Sequence, residues 1–399
     1  MFSHKKLLTL AISGLLVTTN SLAKEDDKAN FGSSDAVGNK IANDNKKSKP
    51  TFKTQLEQHG IEIGADYFAT FMTANKALPT KEDSASSGLV RFYGSWTAMS
   101  DEKNNRGSLI WKVEHRHSYT DNTVKDFEFD VGGLGLIGPT FSDEGARLTN
   151  LYWKQEFMDG NATVVGGFLD VTDFVDLYAM TSPWSGFMNF AFSTGTTTIA
   201  LPGDATLGMA GGVMLSDQYY LIGSFADMNS ISSKPFKGFE SFFSDNKYFK
   251  SVEFGWAKSR GELFVDNIHA TLWHSDESEI QGSTEGYGIN FSASRLINST
   301  WYPFIRAGIS EDAGTLMEKS VSAGIGYYGL GGESNNLGLA VNWGDIKGSD
   351  DQYTTELFYF MQITSNFELT ADIQYIANPA LNLAEKSALI YGLRLRLDI

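Results

Sequence analysis

A two-residue period runs from Ile61 to the last residue, and it constrains the fold more than any other feature. At the end of the chain Leu389, Tyr391, Leu393, Leu395, Leu397 and Ile399 fall on one face. Ala388, Ile390, Gly392, Arg394, Arg396 and Asp398 fall on the other. Successive side chains of a β-strand point to opposite faces, so this alternation reads as a strand with one apolar side. Antiparallel sheets of soluble proteins also bury one face. A soluble domain, however, rarely ends on its most hydrophobic strand, because chain ends fray unless they are tied down. In a closed barrel the last strand pairs with the first, which ties the terminus down. The alternation predicts an all-β fold, a transmembrane antiparallel β-barrel.

The same period recurs upstream. Ile61, Ile63, Ala65, Tyr67 and Phe71 oppose Glu62, Gly64, Asp66 and Thr70, while Val90, Phe92 and Trp96 oppose Arg91, Tyr93, Ser95 and Thr97. Leu109, Trp111 and Val113 oppose Lys112, Glu114 and Arg116. Sixteen candidate strands begin near residues 61, 88, 107, 146, 161, 205, 218, 248, 264, 284, 300, 318, 335, 353, 366 and 387. An even count and strands of about 9–11 residues are what membrane barrels use. The segments near 146 and 161 are the least regular, because both of their faces are mixed. Short links at Ser216-Asp217 and Ser365, and long ones at 121–144, 173–204 and 229–247, match the periplasmic turns and extracellular loops of such barrels. A solenoid would show a fixed repeat, and a sandwich of this length would need a second domain and a linker; neither is visible after residue 60.

The first residues read as an export signal: His4, Lys5 and Lys6, an apolar run over 7–18, then Ser21-Leu22-Ala23 at the cleavage position. The run is shorter than the roughly 20 residues a spanning helix needs. The expected organisation is a signal peptide over 1–23, a polar disordered lead segment over 24–50, and a barrel domain over 51–399 that opens with a short helix near 52–59. Zero cysteines exclude disulfides and thiolate chemistry. A net charge of −16 argues against a nucleic-acid partner, which calls for a basic surface. Forty glycines against eight prolines suit many strands joined by tight turns.

Inward faces hold the chemistry. Lys112, Glu114 and Arg116 share one face, about 6.5–7 Å apart, as a polar rung for hydroxylated solutes or as a structural ion-pair ladder. Asp66, Arg91, Tyr93, Arg306, Arg394 and Arg396 are the other pore-lining candidates, since facing acids and bases create a transverse field. His115 and His117 fall on the opposite face with no clear third ligand, so no metal site and no cofactor are expected. No phosphate loop, zinc-protease motif or hydrolase elbow stands in a fitting context, which argues against an enzyme.

Several segments resemble the carbohydrate-selective porins of the OprB type. The resemblance runs through Leu56-Glu57-Gln58-His59-Gly60-Ile61 with Tyr67, Gly107-Ser108-Leu109, and Val113-Glu114-His115-Arg116-His117. It continues in Leu151-Tyr152-Trp153 with Gln155, in Gly167-Phe168-Leu169-Asp170, and in Gln374-Tyr375-Ile376, Asn378-Pro379, Asn382 and Gly392-Leu393-Arg394-Leu395-Arg396. It implies a sixteen-stranded barrel in the cell outer membrane that admits small carbohydrates by facilitated diffusion. Carried onto this sequence, the Glu114/Arg116 segment is the first choice for the constriction. The aromatic stretch 173–204 (Phe174, Tyr178, Trp184, Phe187, Phe190, Phe192) is either a loop folded toward the pore or an extracellular cap. The chain departs from such barrels in ending on Ile399 rather than an aromatic residue, and in the charge of its lead segment. The expected partners are small carbohydrates and outer-membrane lipid, with assembly as a monomer or a homotrimer left open. The alternatives are a general or cation-preferring diffusion porin and, from another class, a barrel enzyme or adhesin.

Overall fold

A computed structural model of the protein describes residues 29–44, 51–101 and 105–399. Sixteen antiparallel strands among them follow one another around a closed barrel, in which β1 (Ile61–Ala74) pairs with β16 (Ser387–Asp398). Between them run β2 (Ser84–Ser100), β3 (Arg106–Ser118), β4 (Gly145–Phe157), β5 (Ala162–Leu169), β6 (Thr206–Met214), β7 (Tyr219–Asp227) and β8 (Tyr248–Ala257). The second half comprises β9 (Asn267–Ser275), β10 (Gly286–Ser294), β11 (Trp301–Glu311), β12 (Lys319–Tyr328), β13 (Asn336–Asp345), β14 (Gln352–Thr364) and β15 (Phe367–Ala377). No helix among the described residues is long and apolar enough to cross a membrane.

The seam explains the alternation at the chain's end. Tyr67 lies opposite Leu397 and Phe71 opposite Leu393, and past the strand the Ile399 N–H donates to the Ala65 carbonyl at 2.9 Å. Phe71, Tyr391, Leu393 and Leu397 face outward and are exposed, whereas Arg394 faces inward and is buried. The mixed faces near residue 146 have a local cause. Across β3 and β4, Lys112 pairs with Asn150 but Val113 pairs with Leu148, so Thr149 is an extra bulged residue. One inserted residue flips the face of everything beyond it. His115 and His117 point outward, with Tyr67 and Tyr119 in ring contact with His117.

Both strand ends of the seam lie at the end of the barrel that carries the short turns, and the long links lie at the other end. The 119–144 link, with α3 (Glu128–Val131) inside it, crosses the mouth. Its Leu134 exchanges both backbone bonds with Gln352 of β14 (3.0 and 2.6 Å), and Gln374 of β15 donates to the Ile137 carbonyl at 2.8 Å. Phe127, Val131, Ile137 and Phe141 seal that link against Phe68, Met72, Leu89 and Ile390. The 170–205 link folds into the lumen. Phe187 meets Phe358 edge-on at 4.8 Å, and the Glu356 carboxylate accepts the Met188 and Asn189 N–H groups (2.5 and 3.0 Å). Gly338 makes this approach possible, because any Cβ there would collide with Phe358 and Phe187.

The expected short helix near 52–59 is α2 (Thr51–Glu57). The lead segment differs from expectation over its described part. Residues 29–44 are folded, with α1 (Val37–Asp44) packed inside the barrel against the β2–β5 wall. The expected signal peptide, residues 24–28 and residues 45–50 lie outside the described residues.

A charge placed on the outward face costs most at mid-depth. Leu393→Arg should destabilise the folded barrel by about 2–4 kcal/mol, and Leu397→Arg, near the rim, by about 0–1 kcal/mol. Urea titration of the heat-modifiable band in lipid vesicles measures both; equal costs would argue against this depth profile.

Candidate functional site

The inward row of β3 places Lys112, Glu114 and Arg116 above one another, all buried. Arg116 commits four of its five N–H donors to the wall and the links. Its Nε and Nη2 donate to Glu114 Oε2 (3.0 and 2.7 Å), Nη2 reaches Asp204 at 2.9 Å, and Nη1 donates to the Thr140 carbonyl at 2.8 Å. Arg147 of β4 holds the other Asp204 oxygen and pairs with Glu144 at 3.1 Å. Asp204 between two guanidinium groups therefore fastens the 170–205 link to the wall, and the same two arginines hold Thr140 and Glu144 of the 119–144 link.

A second cluster adjoins it across β1, β2 and β16. The Asp66 carboxylate accepts from Arg91 Nε and Nη2 (both 2.8 Å), from Arg396 at 3.2 Å, and from Lys40 at 2.6 Å. Arg396 also pairs with Glu368 at 3.2 Å and Asp398 at 2.7 Å, so three carboxylates balance the three cations. Aromatic faces flank the guanidinium groups. The Arg91 guanidinium lies 4.5 Å from the Phe68 ring centre and 5.1 Å from that of Trp184, and Arg116 lies 6.0 Å from Trp184. Such contacts contribute about 0.5–2 kcal/mol each, more when water is excluded. Phe141 stacks on Trp184 at 5.1 Å and Phe68 meets it edge-on at 5.8 Å, so the indole is fixed by two aromatic neighbours and two cations.

These groups border a cavity of about 410 Å³ in the lumen. Lys112, Glu114 and Arg116 form one side. Trp184, with Asp170, Asp173, Thr194 and Asp204 of the 170–205 link, forms much of the other. The wall offers planar donors, carboxylate acceptors, hydroxyls and one indole plate within a single space. Such a set can hydrogen-bond a small polyhydroxylated solute around its edge and stack one of its C–H faces.

The candidates from the sequence divide three ways. Lys112, Glu114 and Arg116 border the cavity. Asp66, Arg91 and Arg396 make the adjoining ion cluster, and Tyr93 lies beneath Lys40, whose Nζ is 4.6 Å from the ring centre. Arg306 and Arg394 hold the inward link. Arg306 donates to the Asp176 carbonyl at 2.9 Å and to the Asp176 carboxylate and the Ser193 carbonyl. Arg394 donates to the Pro183 and Gly186 carbonyls (2.6 and 3.1 Å). Sequence reasoning missed Arg147, Asp170 and Asp35, and placed Asp173 and Asp204 only as bounds of a loop. The bulge hid the face of Arg147, and Asp35 sits in a stretch whose composition reads as unstructured.

The loop carboxylates differ in their acidity. Burial pushes Asp173 up to about 7, with the Asp170 carboxylate adding to the rise and Lys112 opposing it. Burial acts on Asp204 as well, but Arg116 and Arg147 outweigh it and hold that carboxyl below its ordinary value.

Comparisons with known proteins bear on this geometry. The family described as carbohydrate-selective porin, OprB family, matches residues 114–398. No curated protein sequence matches. Among solved structures, the high-pH structure of Pseudomonas putida OprB superposes with a TM-score of 0.68 at 12% identity, covering 88% of this chain and 96% of that one. Its low-pH structure gives a TM-score of 0.52 at 12% identity, covering 87% and 95%. A mutant porin of Rh. blastica gives 0.54 at 12% identity, covering 85% and 100%. At these identities the structural likeness concerns the fold.

The Asp173 carboxyl carries a pH dependence. An acid raised to about 7 is neutral below that pH and charged above it, so the cavity gains negative charge between pH 6 and pH 8. The reversal potential in a KCl gradient should shift toward greater cation preference over that range. Asp173→Asn should flatten the shift; a variant that keeps it would assign the titration to another group.

Proposed function

The chain belongs to the carbohydrate-selective OprB porin family, a family of channels, and its fold is that of an outer-membrane porin; from that premise we propose that it passes small carbohydrates down their gradient. The observation that supports this reading most is the cavity in which the Glu114–Arg116 fork faces Trp184. A sugar presents hydroxyls around its rim and C–H groups on its faces. The fork and the carboxylates exchange hydrogen bonds with the rim in place of water, and the indole takes a face. Because direct bonds replace hydration, net binding stays weak enough for the solute to leave, which conduction requires.

The seam's strand ends at Ile61 and Asp398 and the short turns mark the periplasmic end, and the long links the extracellular end. A solute entering from outside passes the 119–144 link, reaches the cavity beside the 170–205 link, and leaves past the lumenal wall below. No energy source enters this reading, since the concentration gradient drives the passage. Five acids, Asp35, Glu114, Asp170, Asp173 and Asp204, border the cavity against four bases, so anionic solutes should pass less readily than neutral ones once Asp173 ionises.

Single-channel current with stepwise added sugar tests the reading. Monosaccharides should reduce the current in a saturable manner, and liposome swelling should be faster with mono- than with disaccharides. A current that stays constant over a wide sugar range would instead favour a general diffusion pore.

Arg116→Ala should weaken sugar block by about 1.5 kcal/mol, roughly tenfold, with the barrel still heat-modifiable on gels. Trp184→Ala should weaken it by about 0.5–1.5 kcal/mol. Unchanged block in both variants would move the sugar site elsewhere in the lumen.

A further inference from the structure

The lumenal wall carries an apolar strip that a water-filled pore does not explain. Tyr93 on β2, Ile110 on β3, Tyr152 on β4, Val165 on β5 and Ile222 on β7 face inward and are buried. Their inward neighbours on the same strands are polar, such as Arg91, Lys112, Thr163 and Ser224. Each large apolar side chain left in water would forfeit about 1.5–3 kcal/mol.

Residues 29–44 cover that strip. Val37 and Ile41 of α1 pack with Tyr93, Ile110, Tyr152 and Val165, and Phe31 packs with Met214, Tyr220 and Ile222. Phe31 lies so close to the bare backbone of Gly212 that any Cβ there would collide with its ring. Polar pins complete the attachment. Lys40, only 6% exposed, pairs with Asp66 at 2.6 Å. The Ser33 N–H donates to the Asp173 carbonyl at 2.8 Å, and its hydroxyl donates to the Asp173 carboxylate. The Ser182 hydroxyl donates to Asp35, and both Ser33 and Asp35 border the cavity.

We propose that residues 29–44 form a lumenal strap that sets the width and ion preference of the pore, with Asp35 as a specificity-determining carboxylate at the constriction. The strap occupies lumen that would otherwise conduct, on the periplasmic side of the 170–205 link. It also adds a negative charge whose position Ser182 holds, while Val37, Ile41 and Lys40 clamp the backbone to the wall. The proposal rests on the pore reading and is independent of sugar preference.

Removing residues 29–44 from the otherwise full chain should raise KCl conductance roughly twofold and lower the cation-to-anion permeability ratio. Asp35→Asn should lower that ratio in the same direction. Unchanged conductance in a heat-modifiable deletion barrel would overturn the strap. Should the deletion fail to assemble, the absence of native cysteine allows a second measurement. A single Val37→Cys should resist a membrane-impermeant maleimide in the folded barrel and react after unfolding. Rapid reaction in the folded barrel would overturn the proposal equally. Loss of sugar block in the wild-type protein, with these results intact, would remove the sugar reading alone. Intact sugar block beside an unchanged deletion pore would remove the strap alone.

Discussion

Pairing of the last strand with the first is the interaction on which the rest of this structure depends. Hydrocarbon offers no hydrogen bonds, so every backbone group in the wall must be met by another strand, and only closure leaves no edge. Closure also places side chains. It brings Arg396 of β16 to Asp66 of β1, where Arg91 of β2 already forks onto the same carboxylate. A slip of one residue at the seam would turn Arg394 and Arg396 toward lipid and the leucines of β16 toward water. The seam is therefore held by backbone bonds, by the lipid-facing row and by a buried ion cluster at once.

A barrel of sixteen strands encloses more space than a selective pore can use. Here that space is reduced by two long links and the lead segment, all attached to the wall by inward side chains. Arginine recurs at these attachments because one planar guanidinium can serve several carbonyls or carboxylates together. Arg306 serves the 170–205 link, and Arg394 serves it and Thr370 of β15, whereas Arg116 divides its donors between Glu114, Asp204 and Thr140. What distinguishes a pore-lining arginine from a structural one in this lumen is whether it borders the cavity, as Arg116 does and Arg306 and Arg394 do not.

Much of the wall was legible in the sequence because its signal is local. Lys112, Glu114 and Arg116 were placed on one inward face, and His115 and His117 on the outer one, from spacing alone. The bulge at Thr149 blurred this signal, since an extra residue shifts the period without changing composition. Within the lead segment, the described residues 29–44 depart from expectation for another reason. The segment's polar composition suggests disorder, yet three apolar side chains, Phe31, Val37 and Ile41, are enough when a matching strip waits on the wall. That strip, with Ile110 and Val165 on inward faces, emerges only once the strands are in register.

The sequence by itself determined which way most strand residues face, outside the bulge at Thr149, and that the sheet closes, because a two-residue period follows from the geometry of the extended backbone. It also supplied the charges of the lumen. Only the tertiary structure decided which of those charges remain beside open space. Contacts between residues far apart in the chain, such as Asp176 with Arg306 or Glu356 with Met188, draw the 170–205 link across one side of the barrel. They leave Lys112, Glu114, Arg116 and Trp184 around the cavity on the other. Such contacts arise from the fit of a loop to the lumen, and no local pattern encodes that fit.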